Sequence, residues 1–118
     1  DRNEEAIAAY DAALAIKPDK HEALNNKGLA LANLGRYEEA ITAYKAAIKI
    51  NSEAPSPYYN KACCYGLQGQ VEPALEYLQQ AIQLSPDKYS EMVQTDSDFD
   101  PIRDAPQFQA LLADESKG

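Results

Sequence analysis

The chain has 118 residues, of which 45% are hydrophobic, and it carries a net charge of −8 at neutral pH. The acidic excess argues against nucleic acid, whose binding depends on Lys and Arg, and against an anionic membrane surface. A chain of this length can bury the core of one domain, and no apolar run is long enough to span a bilayer.

The first two predicted helices cover residues 3–16 and 21–34. Apolar side chains recur at three- and four-residue spacing in both, which places them on one face of a helix. Pro18 ends the first helix. Gly28 lies inside the second helix, where it lowers helix stability, so we expect another helix to approach closely at that point.

The stretch from Gly35 to Ile50, GRYEEAITAYKAAIKI, predicts a glycine turn followed by a third helix over residues 37–50. Its small and apolar residues form one stripe, and Gly35 suits the left-handed conformation that often ends a helix. Because the loops are short, we expect successive helices to be antiparallel neighbours.

The fourth and fifth predicted helices cover residues 55–68 and 71–84. Pro55 and Pro57 fit the first turn of the fourth helix, where a missing N–H is no loss. Gly69 separates the two helices, in the same way that Gly35 separates the second from the third.

The periodic pattern decays from Tyr89 onwards. We expect a short helix to residue 94, an irregular turn around Pro101, and a last helix over residues 105–113. Asp104 and Gln107 have the spacing of a capping box at the start of that last helix.

The chain nearly repeats itself with a period of about 34 residues. Much of the first helix recurs unchanged in the third, at the positions of Arg2, Glu4, Glu5, Ala6, Ile7, Ala9, Tyr10, Ala12, Ala13 and Ile16. A fixed period of this size indicates a stacked array of helix pairs. Since Asp1 falls inside a repeat, we expect the chain to be a piece of a longer protein.

The repeat resembles the tetratricopeptide repeat family. In the unit over residues 21–54, the matching residues are Leu24, Gly28, Leu31, Gly35, Tyr37, Ala40, Tyr44 and Ala47. In the unit over residues 55–88, they are Tyr58, Ala62, Tyr65, Gly69, Ala74, Leu78, Ala81 and Pro86. Lys27 and Lys61 depart from the pattern, because the family usually has Leu there. The final stretch, TDSDFDPIRDAPQFQALL, looks like the closing cap of many bacterial members.

This resemblance implies an all-α fold, in which antiparallel helix pairs stack as a right-handed solenoid of about two and a half repeats plus a cap. We expect a single domain over residues 1–118. It comprises a half repeat over 1–20 that holds only a second helix, repeats over 21–54 and 55–88, and a degenerate capping repeat over 89–118.

The resemblance also implies a concave groove lined by the first helix of each pair. The groove positions carried onto this chain are Glu22, Asn25, Asn26, Leu29, Ala32, Asn33, Ser56, Tyr59, Asn60, Cys63, Gly66 and Leu67. Asn26 and Asn60 can satisfy the backbone of an extended peptide, or they can simply tie neighbouring helices together. Tyr59, with Leu29 and Leu67, forms either an apolar shelf for a partner or scattered surface residues.

Family members that grip the acidic C-termini of heat-shock chaperones use two Asn plus basic residues. Here Ser90 and Gln94 hold the matching basic positions, so that clamp is incomplete. Since the chain itself is acidic, we expect a protein or peptide partner that is neutral or basic.

The sequence offers little chemistry for catalysis or metal binding. His21 is the only histidine and stands at the start of a helix, so we expect no Ser-His-Asp arrangement within the chain, and Cys63 has no local basic neighbour to lower its pKa. The aspartates of residues 96–100 imitate a calcium loop, but Pro101 and Gln107 replace its essential Gly and Glu. We therefore expect no enzyme, no cofactor and no metal site.

The leading functional hypothesis is a scaffold that holds a partner peptide or protein segment in the concave groove. One alternative is self-association through the uncovered face of the first helix, and another is a non-catalytic part of a larger enzyme or regulator. Cys63 and Cys64 are adjacent on a helix and predicted to be free thiols, which favours a reducing, cytoplasmic location.

Overall fold

The computed structural model describes residues 1–117, and these residues form seven α-helices and one short 3₁₀ helix, with no β-strand. They are α1 (Arg2–Ile16), α2 (His21–Asn33), α3 (Tyr37–Ile50), α4 (Pro55–Leu67), α5 (Val71–Leu84), α6 (Pro86–Thr95), the 3₁₀ helix (Ser97–Ile102) and α7 (Pro106–Lys117). The all-α expectation is confirmed. None of these helices is long and apolar enough to cross a membrane.

The first five helices begin and end within one residue of their predicted bounds. Two glycines end α2 and α4 with positive φ, +77° at Gly35 and +74° at Gly69. The amide that follows each glycine closes the turn, so that Arg36 N donates to Leu31 O at 2.9 Å. This Schellman arrangement satisfies carbonyls that the helix end would otherwise leave unpaired, and it turns the chain back into the next helix.

The C-terminal part differs from the sequence-based prediction. Helix α6 ends at Thr95, one residue beyond its predicted end, and it begins at Pro86, since proline fits the first helical turn. Helix α7 begins at Pro106 and continues to Lys117, beyond its predicted end. The predicted capping role of Asp104 is wrong, since Ala105 is the residue that directly precedes α7.

Neighbouring helices pack in pairs, α2 with α3 and α4 with α5, and α3 also packs against α4. Gly28 shows why the pairs come so close. A Cβ built on Gly28 would overlap the ring of Tyr44 on α3, which is fully buried. The expected close approach at Gly28 is confirmed, and the missing side chain is what admits the tyrosine ring.

The core is unevenly distributed along the stack. The larger buried cluster joins α4 and α5 to α6, the 3₁₀ helix and α7, and it includes Leu78, Val93, Phe99 and Phe108. A smaller cluster lies around Tyr44, between α2, α3 and α4. Helix α1 contacts α2 but contains no buried side chain.

Candidate interaction groove

A groove of about 480 Å³ is lined mainly by residues of α2, α4 and α6. These are the first helices of their pairs, as the family resemblance implies. The structure brings together in this groove most of the residues expected there: Leu29, Ala32, Asn33, Ser56, Tyr59, Asn60, Cys63 and Leu67.

The remaining polar positions lie in a smaller hollow of about 230 Å³ at the N-terminal ends of α2 and α4. Glu22, Asn25 and Asn26 line this hollow, next to the single histidine, His21. Ser56 lines both depressions. The predicted site is therefore two adjoining surfaces that meet at Ser56.

Asparagine and serine side chains join α2 to α4 at this meeting point. Asn60 Nδ2 donates to Asn25 Oδ1 at 3.1 Å and to Ser56 Oγ at 3.3 Å. Asn25 Nδ2 donates to the same hydroxyl at 3.2 Å. Asn60 thus ties neighbouring helices together, one of the two roles considered for it, whereas Asn26 is exposed.

The chain's own C-terminal part covers the middle of the groove. We call residues 96–103 the closing segment; it contains the 3₁₀ helix and packs on α4. Tyr59 is only 3% exposed beneath it. The Tyr59 ring stacks on Tyr89 at a centroid distance of 4.7 Å and meets Phe99 edge-on at 5.8 Å. Tyr59 is therefore part of the core and does not form an open shelf.

Gly66 allows the closing segment to approach α4 this closely. A Cβ at Gly66 would lie 2.9 Å from the carbonyl oxygen of Asp98 and 2.9 Å from Cδ1 of Phe99. Both contacts are shorter than real Cβ atoms tolerate, and the carbonyl belongs to the backbone, which cannot simply rotate away. Gly66, predicted as a groove position, instead receives the chain's own backbone.

Arg103 and Asp96 hold the closing segment in its bent path. The Arg103 guanidinium donates to the carbonyl oxygens of Gln94 at 3.2 Å and Asp96 at 2.7 Å, and to the Asp100 carboxylate at 3.1 Å. The Asp96 carboxylate accepts from the Asp98 amide at 3.0 Å and thereby caps the 3₁₀ helix. The periodic pattern gave no sign of these contacts.

Two carboxylates and one thiol meet beneath the segment. Ligand atoms of Cys63, Asp96 and Asp98 lie within 4.8 Å of one another. Burial raises the pKa of the Asp98 carboxyl above its usual value, and the Asp96 carboxylate raises it further. Tyr59 Oη already donates to Asp96 Oδ2 at 2.6 Å. A structural zinc site has four ligands, mostly Cys and His, so these three groups alone do not form one.

Cys63 is also poorly suited to nucleophilic chemistry. Burial raises the pKa of its thiol, and the nearby carboxylates of Asp96 and Asp98 raise it further. A reactive cysteine needs a lowered pKa and access to solvent. The environment of Cys63 therefore favours the neutral, unreactive thiol.

The open part of the groove differs in composition from the part that the closing segment covers. Leu29 is 39% exposed and Met92 is 38% exposed, and both side chains line the groove. Lys88 lines it as well, with its ammonium 5.2 Å from the centre of the Tyr89 ring. Met92 and Lys88 were not predicted as groove residues, because they lie on α6, where the repeat pattern fades.

The two positions that would carry the basic residues of a chaperone clamp are occupied by internal contacts. Ser90 Oγ donates to Glu115 Oε1 at 2.7 Å, and Gln94 Nε2 donates to the carbonyl oxygen of Leu112 at 3.3 Å. Both bonds fasten α6 to α7. Neither side chain is a cation that could bind a carboxylate terminus.

Models of one family match most of the chain. A model described as tetratricopeptide repeat matches residues 1–55, and a second model of that description matches residues 55–88. No curated protein matches the chain in sequence.

Solved structures share the fold. The type III secretion translocator chaperone SycD of Yersinia enterocolitica has a TM-score of 0.68 at 19% identity, over 98% of this chain and 68% of that chain. A MamA RS-1 double mutant has a TM-score of 0.70 at 21% identity, over 98% of this chain and 67% of that chain. At these identities the likeness concerns the fold alone.

A mutant O-GlcNAc transferase from Thermobaculum terrenum is also similar, with a TM-score of 0.76 at 28% identity. The match covers 94% of this chain but only 22% of the transferase chain. The similarity thus concerns a helical part of a much longer protein.

Proposed function

Because this chain belongs to the tetratricopeptide repeat family, we propose that it is a protein-interaction scaffold whose groove binds a segment of a partner protein. Residues 1–118 act as one domain in this role, with a half repeat over 1–20, repeats over 21–54 and 55–88, and a cap over 89–118. The scaffold role follows from the family, and the groove is the surface we assign to it.

The observation that carries this proposal is the pair of exposed apolar side chains in the groove, Leu29 on α2 and Met92 on α6. Large apolar side chains that line a concave surface stabilise a complex when a partner covers them and removes them from water. Methionine adapts its shape readily to different ligands. We therefore place the bound segment over Leu29 and Met92, away from the buried Tyr59.

The partner segment is neutral or basic. The chain has a net charge of −8, and the groove includes two carboxylates, Asp96 and Asp98, against one cation, Lys88. Charge complementarity steers association and rejects partners of the wrong sign. Two matched peptides that differ only in Lys or Glu at one position should bind unequally, with the lysine form tighter and its advantage smaller at high salt.

The test begins with peptides selected for binding from a displayed random library, using the folded chain as the target. Replacing Leu29 and Met92 with Ser should weaken the selected peptides about tenfold or more, since each loses an apolar contact worth about 1–2 kcal/mol. The matched control replaces Ile50 and Leu84 with Ser. Those two side chains are equally exposed but lie outside the groove.

Equal losses in the two double variants, or no loss in either, would refute the groove assignment. Circular dichroism melts of both variants should confirm that each still folds. The scaffold role itself would survive such a failure and would then require a different surface.

We assign no catalytic role to the chain. The Cys63 thiol has a raised pKa, and His21 contacts Asn51 and Glu22 rather than a nucleophile. The two cysteines are free and buried, which supports a reducing compartment such as the cytoplasm.

A second candidate function is self-association through α1. Helix α1 has no buried side chain, and Ile16 at its end is 87% exposed. Its partly covered Ile7, Tyr10 and Leu14 offer apolar surface to a second copy. Sedimentation over a wide concentration range decides this, because a strictly monomeric profile at the highest concentration would exclude it.

A further inference from the structure

A second groove lies on the opposite side of α2. It has a volume of about 290 Å³, and its lining includes Leu24, Lys27 and Leu31 of α2 and Ala43 and Ala46 of α3. At 100° per residue, Leu24, Lys27 and Leu31 fall on the face of α2 opposite Leu29. This second groove is therefore separate from the interaction groove proposed above.

The next repeat fills the corresponding place with its own aromatic ring. One period further along the chain, Tyr77 stands where Ala43 stands, Tyr65 where Leu31 stands and Lys61 where Lys27 stands. The rings of Tyr77 and Tyr65 stack nearly parallel, at a centroid distance of 5.9 Å and an angle of 14°. The Lys61 ammonium lies 3.8 Å from the centre of the Tyr77 ring.

This arrangement makes Lys61 one of the most buried charged groups in the described chain, with only 4% exposure. A lysine can be buried to this degree when its carbon chain packs on apolar groups and its ammonium lies on a ring face. The ring of Tyr77 therefore both fills the space and provides the partner for the cation. Ala43 supplies neither in the first repeat.

The charge next to each lysine explains why the side chains of Lys27 and Lys61 point in different directions. The Lys27 ammonium lies 2.7 Å from the Asp11 carboxylate of α1. One period later, Lys45 stands where Asp11 stands, and two like charges repel each other. Lys61 has no carboxylate at that place and turns to Tyr77, whereas Lys27 remains at the edge of an unfilled groove.

We propose that the second groove receives an aromatic side chain, Tyr or Phe, of a partner protein, in the place that Tyr77 holds in the next repeat. Its walls are largely apolar, with two leucines, two alanines and the carbon chain of Lys27, and Glu39 and Thr42 complete the lining. The volume of about 290 Å³ lies at the small end of the range for ligand sites, which suits one inserted side chain. The repeat itself thus specifies the chemistry of the occupant.

The test uses N-acetyl-tyrosinamide as the probe and N-acetyl-leucinamide as its aliphatic match. Titration of the folded chain should shift the NMR methyl signals of Ala43 and Ala46 saturably with the tyrosine probe, and less with the leucine probe. The ring current of an inserted aromatic side chain should move both methyl signals strongly.

Two variants locate the effect. Ala43→Tyr supplies the ring from within, so it should abolish the shift at Ala46 and raise the melting temperature, whereas Ala8→Tyr on the exposed face of α1 should do neither. Lys27→Met keeps the carbon chain but removes the cation, and it should weaken probe binding by about 2- to 5-fold. If Ala43→Tyr does not fold, the weaker probe binding expected of Lys27→Met still tests the proposal.

Three results of the titration would overturn the proposal. They are the absence of a saturable shift at Ala43 or Ala46, equal shifts with the two probes, and a shift that persists at Ala46 in folded Ala43→Tyr. A dimer that dissociates on Ala43→Tyr substitution would also overturn it, since the occupant would then be a second copy of this chain.

Discussion

The Tyr59 phenol on α4 donates a 2.6 Å hydrogen bond to the Asp96 carboxylate at the start of the closing segment. The same tyrosine stacks on Tyr89 and meets Phe99 edge-on. One side chain therefore joins the middle helix of the groove to α6 and to the closing segment. A residue predicted to hold a partner instead holds the chain's own C-terminal part.

Replacing Tyr59 with Phe should lower the free energy of unfolding by about 1.5–3 kcal/mol, the usual range for a hydrogen bond to a charged group. The ring stays in place, so the loss reports on the hydroxyl alone. Urea unfolding measures it. Tyr58→Phe is the control, because Tyr58 Oη donates to the neutral carbonyl oxygen of Ser52 at an exposed site. Equal losses in the two variants would contradict this role of Tyr59.

Replacing Asp98 with Asn should stabilise the fold at neutral pH. Burial and the Asp96 carboxylate raise the pKa of Asp98 in the folded state, so the folded state favours its protonated form. The stability that the protonated Asp98 carboxyl contributes is fully present below the pKa of the unfolded state and is lost as pH rises through the pKa of the folded state. The ionised carboxylate therefore opposes folding at pH 7, and Asn removes this opposition.

Urea titrations from pH 7 down to about pH 4 test the sign, because the gain from Asp98→Asn should shrink as the wild-type carboxyl becomes protonated. Asp100→Asn provides the comparison. Asp100 is exposed and pairs with Arg103, so its replacement should change stability by less than about 1 kcal/mol. A loss of stability in Asp98→Asn at pH 7 would show that the ionised form supports the fold.

Replacing Gly28 with Ala should destabilise the chain by about 1–3 kcal/mol, since the added Cβ would overlap the Tyr44 ring. Chemical denaturation measures the effect. In a Tyr44→Leu background the same change should be much less harmful or even favourable, because Ala is intrinsically better than Gly in a helix by about 1 kcal/mol. Identical losses in both backgrounds would mean that Tyr44 is not the obstacle.

The two thiols should resist modification while the chain is folded. Burial raises the pKa of Cys64 to about 12 and raises that of Cys63 as well, so neither thiolate is appreciably populated at pH 8. Ellman's reagent should react slowly with the native chain and fully after denaturation. Tyr59→Phe should accelerate modification of Cys63, which lies beneath the same segment. Rapid native reaction of either thiol would contradict the burial.

The repeat period predicted the first five helices, because each helix places small and large residues in the same register and the turn inside each full repeat has a glycine, Gly35 or Gly69. Gly28 and Tyr44 illustrate this, since their spacing within one repeat is enough to bring them into contact. The path of the closing segment could not be predicted in this way. It depends on Gly66, Phe99 and Arg103, which meet only in the folded chain and follow no period.

The sequence predicted where most residues of the candidate groove lie, but it did not predict which of them are exposed. Leu29 and Leu67 line the groove as expected, whereas Tyr59 and Cys63 are buried by residues more than thirty positions away. Asn60 forms the hydrogen bonds that tie α2 to α4. A contact of Asn26 with a peptide backbone remains a prediction.

The uneven core has a consequence for how the chain opens. In a linear array each repeat is stabilised only by its neighbours, and α1 has no buried side chain, whereas Leu78 on α5 and Val93 on α6 are completely enclosed. Local opening should therefore start at the N-terminal end and progress towards the C-terminal end. Amide hydrogens of α1 should exchange with deuterium first, and those of α5 should be the last to be replaced.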